Sequence, residues 1–176
     1  TGSFGTLVAL TEITLKVLPK KKSSNTITIH TDDKKLVKSL FDKISSSSSE
    51  VSGAIYMPEE PKDENYDQNK EMVFKFNDLK YKGSFLALRI EGDKISIEEK
   101  LKALTIELEL SKLNTTVLDV HQSTPFWKKI NNLEIFKLTK NNLLRVVVPP
   151  SKGPKLMQFL GNKYKYYIDW CGSLYW

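Results

Sequence analysis

The spacing of apolar residues along the chain predicts short strands and helices in alternation. Apolar and polar residues alternate over residues 26–30, the period of two that indicates a half-buried strand. Residues 51–57 predict a second strand. Between the two strands, a helix capped by Thr31 is predicted from an apolar stripe at helical spacing. The stripe consists of Leu36, Val37, Leu40, Phe41 and Ile44.

The same kinds of element follow further along the chain. Residues 72–76 and 84–91 predict strands, and the capping-box sequence from Ser96 to Glu99 predicts a helix that continues to about Lys112. Residues 115–120 predict the next strand. Without the strand over residues 72–76, the order strand, helix, strand, strand, helix, strand is the ferredoxin-like split βαβ arrangement.

The last third of the chain predicts a second, partial round of elements. A short helix begins at Thr124 and Pro125, residues 143–148 form a buried strand, and a short helix covers residues 155–160. Two final strands follow, at residues 166–170 and 173–176. We therefore predict an α+β fold, in which an antiparallel sheet carries helices on one face.

The first eighteen residues combine a glycine pair, Gly2 and Gly5, with an alternating run that contains Ile13, Leu15 and Val17. A glycine-rich turn that leads into a strand lets backbone N–H groups approach an anion, although most such turns are only turns. We interpret residues 1–19 as the end of an otherwise missing nucleotide-binding domain. Residues 20–176 then form a separate domain.

Composition narrows the possible functions. Hydrophobic residues make up 40% of the 176 residues and charged residues 27%, which is ordinary for a soluble protein, and we expect no membrane span. The single cysteine, Cys171, excludes an internal disulfide framework and an iron–sulfur cluster held by this chain alone. The net charge of +6 comes from scattered lysines, with only two arginines, Arg89 and Arg145, so we expect no nucleic-acid partner.

Two residues are candidates for substrate binding. His121 follows a predicted strand and begins a loop, where it is either a proton acceptor or a surface residue. Arg145 lies within an apolar strand and needs a partner. That partner is either a substrate carboxylate or an internal carboxylate, with Asp169 and Asp119 as the alternatives. The sequence contains no complete catalytic constellation and no metal-spaced His/Cys cluster.

Both ends of the chain carry a resemblance to a known family. The run Gly2-Ser3-Phe4-Gly5-Thr6-Leu7, with the strand after it, resembles the end of the FAD-binding domain of vanillyl-alcohol-oxidase-type flavoproteins. The closing run over residues 167–176 resembles the Ile-Asp-Trp-Gly-Gly-x-x-x-Trp ending of one branch, the FAD-binding subunits of bacterial glycolate oxidases. The chain departs from the family pattern at Val8 and Ala9, and at Cys171, where the closing motif has its first glycine.

The resemblance implies a cap domain that covers the flavin of an FAD-dependent 2-hydroxy-acid oxidase. It implies FAD contacts at Gly2, Ser3, Gly5, Thr6 and Ala9. It makes Arg145 a candidate ligand of the substrate carboxylate, with His121 as a second candidate. It further implies a sister flavin subunit and an iron–sulfur subunit as partners, a cytoplasmic location at the membrane through those partners, and little activity for this chain alone.

A second interpretation belongs to a different class of function. The chain is then a non-catalytic module of an oxidoreductase complex, and its aromatic C-terminus docks a partner subunit. The two interpretations differ in whether Arg145 faces a cleft or an internal partner. They differ also in whether the edge over residues 170–176 is buried or exposed.

Overall fold

The computed structural model describes residues 5–17, 19, 21–59, 74–76, 79–81, 83–136, 142–161 and 163–176. Four helices and nine strands are found there. The helices are α1 (Lys34–Ser46), α2 (Lys94–Glu107), α3 (Val120–Asn131) and α4 (Gly153–Leu160). The strands are β1 (Ser23–His30), β2 (Gly53–Met57), β3 (Phe74–Phe76), β4 (Leu79–Tyr81), β5 (Phe85–Gly92), β6 (Thr115–Leu118), β7 (Val146–Val147), β8 (Ile168–Asp169) and β9 (Leu174–Tyr175).

Seven of these strands form one sheet in the order β6-β1-β5-β2-β8-β9-β7. Every pair of neighbours whose register is defined is antiparallel. Strand β1 pairs with β5 over its whole length, from Ser23 opposite Gly92 to His30 opposite Phe85. The order β6-β1-β5-β2, with α1 and α2 as connections, is that of the ferredoxin-like arrangement, so the predicted α+β class is confirmed.

The alternation of side chains along the strands sends apolar residues to both faces of the sheet. On one face, Ile27 and Leu88 lie in a core with residues of α1, α2 and α4. On the other face, Ala87 lies in a second core with Phe126 of α3. The predicted helical face is therefore formed by α1, α2 and α4, whereas α3 covers the opposite face.

The two longest helices begin at aspartates that end the preceding segment. The side chain of Asp33 accepts a hydrogen bond from the Lys35 N–H at 2.8 Å and caps α1, so the predicted cap at Thr31 is two residues early. Asp93 caps α2 by accepting from the Ser96 N–H at 2.9 Å. The predicted capping box at Ser96 therefore lies inside the first turn, because β5 extends to Gly92 and Asp93 follows it directly.

The prediction of a buried strand over residues 143–148 is wrong. Only Val146 and Val147 pair, as β7, and their side chains are exposed, as is that of Leu144 (70%). Strand β7 lies at the edge of the sheet, where β9 is its only partner among the described strands. Because an edge strand has no neighbouring strand on one side, the apolar run at this position stays largely accessible to solvent.

The alternating run near the N-terminus does not form the predicted strand in this structure. Residues 8–17 have no regular secondary structure, and Ile13, Leu15 and Val17 are 61%, 75% and 78% exposed. An alternating segment becomes a strand only where another strand accepts its hydrogen bonds. None of the described strands pairs with it.

The C-terminal hairpin β8–β9 is hydrogen-bonded to the start of α4. The Tyr175 hydroxyl donates a hydrogen bond to the Gly153 carbonyl at 2.9 Å. A Cβ on Gly153 would lie 2.9 Å from the Tyr175 hydroxyl oxygen and 3.0 Å from the Gly172 carbonyl oxygen. The close approach of α4 to this hairpin therefore requires glycine at position 153.

We predict that Gly153→Ala lowers the free energy of unfolding by about 1–3 kcal/mol, the usual cost of overpacking a close contact. The measurement is urea denaturation followed by circular dichroism. Gln158→Ala, at an exposed position of the same helix, is the control and should change stability little. Equal stability of Gly153→Ala and wild type would contradict this account of the contact.

Candidate functional site

The residues predicted to contact a flavin do not form a pocket in the described part of the chain. Gly2 and Ser3 lie outside the described residues. Gly5 has φ +75°, which supports the predicted glycine turn, but no atom lies within 4 Å of where its Cβ would be. Gly5, Thr6 and Ala9 are all exposed. The described residues alone therefore do not fit FAD, because nothing encloses it.

His121 does not begin a loop, as the sequence predicts, but lies in the first turn of α3. Asp119 caps this helix by accepting hydrogen bonds from the backbone N–H groups of His121 and Gln122, at 2.9 and 3.0 Å. The Gln122 side chain accepts in return from the Asp119 N–H, which completes a capping box. Helix α3 therefore begins before the predicted start at Thr124, and the His121 side chain is exposed.

Arg145 is exposed and lies against two tryptophans. Its guanidinium carbon is 5.4 Å from the centre of the Trp170 ring and 5.8 Å from that of Trp176. Neither predicted carboxylate forms an ion pair with it: Asp119 caps α3, and Asp169 accepts a hydrogen bond from the Trp170 N–H at 2.7 Å. The prediction of an ion pair with Asp119 or Asp169 is therefore wrong. Arg145 instead makes cation–π contacts with the two tryptophans.

The structure does not bring His121 and Arg145 together. His121 follows β6 and Arg145 precedes β7, and these strands are the two edges of the seven-stranded sheet. Six steps between neighbouring strands, at about 4.8 Å each, separate the edges by roughly 29 Å. A small 2-hydroxy acid cannot contact both residues at once.

The turn of the C-terminal hairpin has an unusual backbone. Trp170, Cys171 and Gly172 have φ values of 51°, 50° and 94°, all in the left-handed region. Residues other than glycine rarely adopt this conformation because their Cβ crowds the backbone. Burial raises the pKa of the Cys171 thiol, and a hydrogen bond with Ser45 offsets part of this effect. Cys171 is therefore a poor nucleophile at neutral pH.

One cleft that the sequence does not predict lies between the start of β1, the C-terminal half of β5 and helix α3. Its volume is about 420 Å³. Most of its lining side chains are cations, hydroxyls or amides. They are Lys21, Lys22, Ser23, Ser24, Arg89, Glu91, Val120, Thr124, Trp127, Lys128, Asn131 and Asn132. We call this feature the basic cleft.

A network of buried hydroxyl groups lies beneath the basic cleft and holds α3 on the sheet. The Trp127 indole N–H donates to the Thr26 hydroxyl at 2.8 Å. The Ser123 hydroxyl is 2.7 Å from that of Thr26 and 2.9 Å from that of Ser24. Thr26 and Ser123 are fully buried, so these contacts satisfy polar groups that water cannot reach.

Arg89 is fixed in one wall of the basic cleft. Its Nε and Nη2 atoms donate to the hydroxyl and carbonyl oxygens of Ser52, both at 3.0 Å, and Nε lies 3.4 Å from the Glu91 carboxylate. The guanidinium carbon is 4.9 Å from the centre of the Trp127 ring. Gly53, opposite Arg89 in the sheet, leaves room for this ring, since a Cβ there would be 3.1 Å from it.

No known family model matches this chain, and none of the curated proteins matches it in sequence. Within the described ranges, none of the helices is long and apolar enough to cross a membrane. Across the same residues, no three His, Cys, Asp or Glu side chains are grouped so that they could hold a metal ion.

We predict that Cys171→Gly is more stable than Cys171→Ala by about 1 kcal/mol, because glycine adopts a left-handed φ without a Cβ clash. Both variants lose the thiol, so the difference between their free energies of unfolding measures the cost of a Cβ in the left-handed conformation. Urea denaturation of the pair measures it. If the alanine variant is as stable as the glycine variant, the left-handed turn does not carry the expected strain.

Proposed function

We propose that this chain is the cap domain of an FAD-dependent 2-hydroxy-acid oxidoreductase subunit of the glycolate oxidase type. In this proposal, residues 1–19 belong to the flavin-binding domain, and residues 20–176 cover the flavin and help to shape the substrate site. The observation that carries the proposal is the apolar segment over residues 7–17, in which residues 12–17 alternate between polar and apolar. It has the sequence of a strand but no partner among the described strands.

The apolar side chains of this segment are strongly exposed. They are Leu7 (79%), Val8 (61%), Leu10 (69%), Ile13 (61%), Leu15 (75%) and Val17 (78%). Full burial of one such side chain stabilises a protein by about 1.5–3 kcal/mol. A flavin domain whose sheet accepts residues 7–17 would bury these groups and satisfy the backbone of the segment.

The backbone of the C-terminal hairpin supports the resemblance on independent grounds. The family motif has two consecutive glycines, at the positions of Cys171 and Gly172. In this structure both positions have a positive φ, the conformation for which glycine is the usual residue. Two glycines at these positions would therefore suit this turn, although Cys171 departs from the family pattern.

The positions of Arg145 and His121 in the fold leave only Arg145 as a candidate for the proposed substrate site. Arg145 is exposed beside Trp170 and Trp176, and its planar guanidinium suits a carboxylate. His121 lies at the other edge of the sheet and is not part of the same substrate site. Because the described residues do not enclose a flavin, the proposed role of this chain is to cover the cofactor and to position the substrate.

The proposal predicts that a longer protein, in which this chain follows a complete flavin-binding domain, binds flavin, whereas residues 1–176 alone do not. Both proteins should be purified, the longer one also with its partner subunits, and their visible absorption spectra compared. A yellow longer protein and a colourless short one are expected. A colourless longer protein, even with its partners present and FAD added, would overturn the flavin assignment.

A second function, docking of the sister flavin subunit, is favoured by the exposed surface at the β7 edge. Leu144, Val147 and Trp170 are 70%, 55% and 56% exposed there, beside Arg145. An edge strand with free hydrogen-bonding groups and apolar side chains can pair with another chain.

If docking is the function, Val147→Lys should abolish copurification with the sister subunit while leaving the fold intact. Ile106→Lys is the matched control, since Ile106 is 79% exposed on α2 and far from β7 in the chain. Circular dichroism checks the fold of both variants. Undiminished copurification of Val147→Lys would exclude this edge as the docking surface.

A further inference from the structure

We propose that the basic cleft binds a small molecule that carries two or more phosphoryl groups. This site goes beyond the proposed function, because it lies at β1, β5 and α3 and contains neither Arg145 nor residues 5–17. Its volume, about 420 Å³, lies in the range of about 300–1,000 Å³ that is usual for small-molecule sites.

The first argument is the balance of charge in the cleft. Four cations line it, Lys21, Lys22, Arg89 and Lys128, against the single carboxylate of Glu91. Within a concave surface, charges of one sign reinforce one another and attract the opposite charge. The basic cleft therefore favours a ligand with several negative charges over one with a single charge.

The second argument is that most of this positive charge is not neutralised nearby. Glu91 lies against Arg89, and none of the ion pairs in the described part of the chain involves Lys22 or Lys128. The pKa of Glu50 is lowered mainly by Lys100, which is paired with this carboxylate at 2.8 Å, and Lys21 adds only a small electrostatic contribution. Lys22 and Lys128 are therefore available to bind a ligand, and Lys21 adds a third positive charge to the cleft.

The third argument is that Arg89 is already held in place. Ser52 binds Nε and Nη2, and Trp127 lies against the guanidinium plane, so a ligand need not immobilise this side chain. Among the described residues, Nη1 has no hydrogen-bond acceptor and is the nitrogen left for a ligand oxygen. Thr124 and Asn131 add neutral donors to the same cleft.

Lysines are compact point charges that suit phosphoryl oxygens, whereas planar carboxylates are best matched by a free arginine fork. In the basic cleft the arginine fork is largely occupied by Ser52, and the lysines are the available cations. This difference favours phosphoryl groups over carboxylates as the ligand chemistry.

The test is titration of the protein with pyrophosphate at low ionic strength, followed by calorimetry and by the NMR signals of the indole N–H groups. The Trp127 indole signal should shift on binding, because Arg89 covers this ring. It is assigned through its loss in Trp127→Phe. Citrate, a carboxylate anion of comparable charge, is titrated in parallel.

The double variant Lys22→Gln/Lys128→Gln should weaken pyrophosphate binding at least about tenfold, and added salt should weaken binding to wild type. Lys155→Gln/Lys163→Gln makes the same change in net charge outside the basic cleft and should bind like wild type. All four lysines are exposed, and circular dichroism checks that both variants fold.

Three results would overturn the proposal. The first is the absence of pyrophosphate binding, seen as no heat of binding and an unchanged Trp127 indole signal. Equal affinity of the two double variants is the second, since it would reduce binding to a general effect of net charge. Tighter binding of citrate than of pyrophosphate is the third, since it would assign the cleft to carboxylates.

Discussion

The pairing of β1 with β5 is the constraint on which the rest of the structure depends. Its register sets Thr26 opposite Arg89 and Ile27 opposite Leu88. Because successive side chains point to opposite faces, this register sends Ile27 and Leu88 into the core under α1 and α2 and directs Thr26 to α3. A slip of one residue would exchange the two faces and bury the Arg89 side chain in the apolar core.

The two faces of the sheet use different interactions to hold their helices. Helices α1 and α2 are held mainly by apolar contacts, with residues such as Leu40 and Leu104 fully or almost fully buried, and polar contacts such as the Lys100–Glu50 ion pair lie nearer the surface. Helix α3 adds hydrogen bonds among Thr26, Ser123 and Trp127 to its apolar contacts. A buried polar network fixes position more tightly than apolar packing does, because each group has few acceptable partners. The walls of the basic cleft are therefore well defined.

The sequence predicts the six elements of the ferredoxin-like arrangement, β1, α1, β2, β5, α2 and β6, because their signals are local: a period of two for strands, a period near 3.6 for helices, and caps. It fails where the outcome depends on distant residues. The apolar run over residues 143–148 predicts a buried strand, yet it lies at the sheet edge with exposed side chains. The sequence predicts His121 in a loop, whereas Asp119 and Gln122 form a capping box that starts α3 before it. The basic cleft brings together segments about a hundred residues apart, so no local motif marks it.

The central claim is that residues 7–17 are a strand whose partner belongs to a flavin domain. Amide hydrogen exchange tests it most directly, measured on this chain alone and on the longer flavin-loaded protein. Residues 8–17 should exchange rapidly in the chain alone, while β1 and β5 stay protected, and should become protected in the longer protein. Rapid exchange of residues 8–17 in both proteins, or protection already in the chain alone, would contradict the account.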